Sequence, residues 1–115
     1  MTKGAWHILK RDGVWTMSRM RSQRLDVSAQ TWLPRVHPIR LMHQIRQDMW
    51  RHLQKVRGFA PLIRLAPDGD GWRVTAGGQV SAMASSHVTR IEDVLENKRF
   101  RARWIRCAGE WSEKT

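Results

Sequence analysis

Tyrosine is absent from this 115-residue chain, cysteine occurs once, and acidic side chains are outnumbered 10 to 21 by Lys and Arg. Each shortage excludes something. With Cys107 alone, no disulfide can close within the chain and no cysteine-based zinc site can be assembled from it, which fits a reducing, cytoplasmic setting. No stretch approaches the roughly 20 apolar residues needed to span a bilayer. The opening MTKGAWHILK is interrupted by charge before an export-type apolar run develops, so neither membrane insertion nor export is expected. There is no Gly-x-Ser-x-Gly, no phosphate-cradling glycine loop of the usual spacing, and no carboxylate pair that sequence alone places together. A standard enzyme is therefore disfavoured, and no cofactor is expected.

What is present is cationic. The formal charge of +11 and a pI near 11.5 exceed what solubility requires, which points to an anionic partner. Arg outnumbers Lys 16 to 5. The planar guanidinium stacks on rings and grips phosphate or carboxylate with two bonds, so this bias suits recognition. Charge is also unevenly placed, with nets of +10 over residues 1–66, −3 over 67–97 and +4 over 98–115. The hydrophobic share of 41% is that of a globular chain, not a disordered one. The length suits one domain over residues 1–115, with fraying expected at 1–4 and 110–115.

The pattern of elements predicts a two-layer α+β domain. Residues 5–18 alternate about Asp12-Gly13, a dipeptide that readily adopts positive φ, and a two-residue loop sets Ile8 opposite Met17 and Lys10 opposite Trp15. Residues 19–34, with Arg19, Arg21 and Arg24, show little periodicity and read as a basic connector. Ile39, Met42, Ile45, Met49, Leu53 and Val56 recur at helical spacing, so a helix is predicted from Pro38 to Arg57 with Gly58 as its stop. Pro61 to Ala66 and Trp72 to Ala76 flank Pro-Asp-Gly-Asp-Gly as a second hairpin, and a third short strand over Gln79 to Met83 completes a β-meander. Ser85 or Ser86 caps a last helix bearing Val88, Ile91, Val94 and Leu95 on one face. An unbroken continuation would put Lys98 in that apolar stripe, so a break is expected near Asn97. The small antiparallel sheet is expected to be covered by the long central helix and the C-terminal helix.

Two basic segments are candidate contact surfaces. On the central helix Arg40, Gln44, Gln47, Arg51 and Lys55 share a narrow arc turned away from the apolar stripe. Arg and Lys hold phosphates or guanine edges and Gln can bridge adenine, although a solvated helix face has the same composition. In Lys-Arg-Phe-Arg-Ala-Arg-Trp-Ile-Arg, residues 98–106, Phe100 and Trp104 are spaced to enter the core with Ala108. Lys98, Arg99, Arg101, Arg103 and Arg106 then turn elsewhere. Of the seven tryptophans, Trp6, Trp15 and Trp72 fall in alternating strands and Trp50 flanks the helix stripe, leaving Trp32 and Trp111 as candidates for exposure and base stacking.

Metal binding is not expected. His37, His43 and His52 project from different sides of the helix. Asp68-Gly69-Asp70-Gly71 resembles the start of a calcium loop, but Gln79 stands where the bidentate Glu belongs, and a hairpin turn explains the same residues. The leading expectation is a small basic protein that binds nucleic acid, DNA or RNA, of regulatory or mobile-element origin. An interaction module or inhibitor docking on an acidic protein surface is the alternative. A metal-independent ribonuclease using His7, His52 or His87 ranks third, since such a site leaves no linear motif.

Overall fold

The computed structural model describes residues 6–19 and 24–111. Strand β1 (His7–Arg11) pairs antiparallel with β2 (Val14–Ser18) in the register set by the turn, Ile8 opposite Met17 and Lys10 opposite Trp15. Asp12 at φ 53° and Gly13 at φ 80° supply the two left-handed residues of that turn. The Lys10 ammonium lies 5.1 Å from the Trp15 ring centroid.

The stretch read as a connector is in part a strand. Val27–Pro34 forms β3, which pairs along its length with β5 (Gly71–Gln79), itself the hairpin partner of β4 (Ala60–Asp68). Among the described residues the strands form one antiparallel sheet of order β1-β2-β4-β5-β3. Residues 80–83 form no strand. The second partner of β5 is β3, from earlier in the chain, in place of the third meander strand expected over Gln79 to Met83. Gly77 permits the pairing: a Cβ there would stand 2.0 Å from the Val27 carbonyl oxygen. Arg21 and the rest of residues 20–23, like residues 1–4, lie outside the described residues.

Helix α1 (Pro38–Leu53) begins where Pro38 suits the first turn and the His37 ring nitrogen accepts from the Arg40 amide. It stops four residues short of Arg57. Val56 carries the apolar spacing onward because it packs on the core from a turn, and Gly58, at φ 72°, reverses the chain so that buried Phe59 leads into β4. Helices α2 (Ser85–Leu95) and α3 (Lys98–Ala108) are separated at Asn97, whose Oδ1 accepts from the Phe100 amide at 3.0 Å. At the start of α2 the capping position is Ala84, and Ser85 and Ser86 lie inside the first turn rather than capping it.

The helices cover one sheet face. Met17, Val27, Leu33, Ile63, Leu65, Trp72, Val74 and Ala76 meet Leu41, Met42, Ile45, Met49, Leu53, Ile91, Val94, Leu95, Trp104 and Ala108 in one core. Helix α1 lies on β4, α2 on β3 and β5, and α3 against α1. Although fraying is expected from residue 110, Glu110 bridges to Val36 and the Trp111 ring lies 5.6 Å from that of Trp72. No helix among the described residues is long and apolar enough to cross a membrane.

Candidate functional site

The packing of α3 along α1 brings the two basic segments together. Asp48, the sole acidic residue of these two helices, is 1% exposed beneath their contact. Its Oδ2 accepts from Trp104 Nε1 at 2.7 Å and from the Arg103 guanidinium, while Arg51 lies 3.8 Å from Oδ1. A buried carboxylate needs such partners, and here they come from the edge of the cationic surface. Phe100 and Trp104 face inward as their spacing requires, Trp104 fully buried and Phe100 partly so.

The remaining basic residues divide. Arg40, Gln47, Arg51, Lys98, Arg99 and Arg106 are exposed and Gln44 is half-buried. Arg40, Lys98, Arg99 and Arg106 form no ion pair among the described residues. Arg101 instead turns back into the fold, donating to Thr31 Oγ1 and the Trp32 carbonyl, each at 2.7 Å, and to the Leu95 carbonyl at 2.9 Å. It ties α3 to β3 and to the end of α2, and Arg103 is likewise engaged on Asp48. Lys55 lies beyond the end of α1 and belongs to a different neighbourhood.

That neighbourhood is not visible in the linear sequence. The turn after α1 meets the segment between β5 and α2, and Lys55 and Arg57 there face Ser81, Ser86, His87 and Arg90 across a hollow of about 420 Å³. A second hollow shares Lys55 and Arg90 and adds Arg51, His52, Gln54 and Asp93. Thus two of the three histidines considered for acid–base work, His52 and His87, wall neighbouring hollows, whereas His7 lies exposed on the edge strand β1. His52 Nδ1 is 2.8 Å from the Asp48 carbonyl, and His87 Nδ1 is buried with no hydrogen-bond partner.

The tryptophans are distributed otherwise than their spacing implies. Trp32 is 38% exposed, held by a bond from Nε1 to the Asp68 carbonyl. Trp50 is the more open at 43% and stacks on Phe59 at 6.4 Å. Trp111 is half-buried. Guanidinium groups lie over buried or partly buried rings, Arg35 at 4.7 Å from Trp72 and Arg46 at 4.8 Å from Trp6. On the uncovered sheet face the register sets Thr16, Arg64, Thr75 and Gln30 in one row.

Burial, followed by the charge of Arg46, holds the His43 imidazole below its ordinary range, and burial followed by Arg40 does the same to His37. Both rings are therefore biased to the neutral form, in which His37 accepts from the Arg40 amide and His43 from Arg46 Nε. Among the described residues no three side chains of His, Cys, Asp or Glu converge as metal ligands. Compared with protein-family models, with curated proteins and with solved structures, the chain matches none.

Proposed function

We propose that the protein binds nucleic acid through the outer surface of α1 and α3. One observation carries the reading: the single carboxylate of these helices is buried, while Arg40, Arg51, Lys98, Arg99 and Arg106 stand on the outside. A surface with that balance attracts a polyanion, and phosphates release counterions on meeting it. Gln44 and Gln47 lie within the same α1 arc and add amide groups suited to base edges. Docking on an acidic protein surface draws on the same charge, but the Arg and Gln chemistry favours phosphate and base.

Fluorescence anisotropy with labelled duplex DNA, single-stranded DNA and RNA across a salt series tests this. Engagement of about 6 phosphates gives a slope of log affinity against log salt near −5. If none of the three binds tighter than about 100 μM near physiological salt, the weak end of ordinary non-specific affinity, the reading fails and an acidic protein partner takes its place. RNA recovered from the same incubations is expected intact. Reproducible cleavage lost on substituting His52 or His87 would promote the ribonuclease reading instead.

A further inference from the structure

We propose that the hollow between the end of α1 and the start of α2 is a phosphate-binding pocket, occupied by a phosphate of a single-stranded nucleic acid. The walls are held close by the fold. Gly58 passes so near the opposite segment that a Cβ there would stand 2.2 Å from Ser81 Oγ, and the Ser81 amide donates to the Arg57 carbonyl at 3.1 Å. This contact sets Lys55 and Arg57, from the turn after α1, across from Ser86 and Arg90 on α2.

Three cations then share a space of about 420 Å³ that no acidic side chain lines. Lys55, Arg57 and Arg90 form no ion pair among the described residues. Arg90 is oriented only by a 3.4 Å contact from its guanidinium to the His52 carbonyl. Like charges gathered without a counter-charge repel, and an anion between them reverses the sign of that interaction. The first turn of α2 adds to the effect. Ala84 provides no side-chain acceptor for its amides, so the positive end of the helix is left uncapped beside Ser86. Ser81 and Ser86 line the same hollow and carry hydroxyl groups that can donate to an oxyanion.

The pocket is too large for one phosphate, and the hollow beside it adds Arg51 together with one carboxylate, Asp93. The neighbouring hollow of about 370 Å³ shares Lys55 and Arg90 and includes Gln54 in its wall. Gln54 keeps helical backbone angles one turn beyond Trp50, which is 43% exposed, so the two positions lie about 5–6 Å apart at Cβ on one face of the chain. A phosphate in the pocket with a base on the Trp50 ring is the arrangement a single strand offers. The identity of the chain bearing the phosphate rests on the nucleic-acid reading above. The chemistry of the pocket does not.

The test is an amide NMR titration of the full chain at constant ionic strength with inorganic phosphate, a short single-stranded oligonucleotide and a glutamate-rich peptide. Phosphate and oligonucleotide are expected to shift the Ser81, Ser86 and His87 amides. Replacing Lys55, Arg57 or Arg90 by Gln should weaken phosphate binding about tenfold each, the scale of one charge-assisted hydrogen bond. Ser86→Asp is a control for folding, because a carboxylate in the first turn favours the helix while repelling phosphate; it should keep or raise the melting temperature and abolish the shifts. If phosphate moves none of these amides while the oligonucleotide moves only those of α1 and α3, the pocket proposal is overturned and the nucleic-acid reading stands. If phosphate binds here and no oligonucleotide binds anywhere, the pocket stands for a small phosphorylated compound and the nucleic-acid reading falls. A glutamate-rich peptide shifting these amides more than phosphate does would overturn the proposal in favour of an acidic protein partner.

Discussion

At the scale of single residues, Asp48 joins the basic surface to the core. Its carboxylate is almost without solvent and holds Trp104 Nε1 and Arg103 at once, so Asp48→Asn keeps the volume and removes the charge that both donors meet. The expected cost is about 1–3 kcal/mol, read as a lower urea midpoint with an unchanged m-value. The exposed Arg73–Asp68 pair, although only 2.7 Å long, is worth at most about 1 kcal/mol because water screens it. His43 and His37 set the response to mild acid. Both are held below the usual imidazole range by burial first and by Arg46 or Arg40 second, so as pH falls below about 6.5 the unfolded chain takes up protons that the folded chain refuses. Their contribution is complete above that pH and is lost as pH falls through the folded pKa values. Urea midpoints should therefore be lower at pH 5 than at pH 7.5, and His43→Gln should make that difference smaller. Asp26 acts in a more acid window. The Val80 amide, with Arg24 beside it, keeps its carboxylate below the ordinary range, so its contribution stands above about pH 4 and fades below.

At the scale of elements, α1 organises the helix layer by contacting β4, α2 and α3. Its stripe of Leu41, Met42, Ile45, Met49 and Leu53 is fully buried. Met49→Ala should cost about 2–5 kcal/mol in chemical denaturation, the range for truncating a large core side chain that leaves a cavity. A midpoint equal to that of the wild type would mean that the stripe is not packed as described. The helix ends at Leu53 although the apolar spacing runs to Val56, because a side chain can pack from a turn as well as from a helix, and periodicity does not separate the two cases. Strand β3 escapes sequence reading for a related reason. Ala29 and Thr31 stand at core-facing positions and Trp32 faces out, which erases the apolar contrast that alternation needs.

At the scale of the whole molecule, the charge of +11 is arranged rather than spread evenly. Arg101 and Arg103 are engaged inside the fold, and Arg99 and Arg106 are left outside on α3. The double substitution of Arg99 and Arg106 by Ala should leave stability within about 0.5 kcal/mol. In anisotropy it should weaken every nucleic acid alike and flatten the salt slope by up to about 2. A change confined to one sequence would instead point to base readout by these side chains.

The order of events along this chain is written locally. Asp12-Gly13 dictates a hairpin and its register, Pro38 and the three- and four-residue spacing dictate α1, and the clash of Lys98 with an apolar stripe dictates the break at Asn97, because each depends on neighbours a few residues away. Net charge, the lack of disulfides and the inward turn of Phe100 and Trp104 follow from composition and spacing in the same way. What only the tertiary structure decided depends on partners far apart in the chain. The pairing of β3 with β5 rests on Val27 meeting Gly78, the withdrawal of Arg101 on carbonyls near residues 32 and 95, and the hollow of Lys55, Arg57 and Arg90 on a turn reaching a helix more than thirty residues away. Which positions carry a basic side chain is given by the sequence, but whether its charge faces water, a carbonyl or another cation is settled by packing, since each choice is made by the groups that folding brings within a few ångströms.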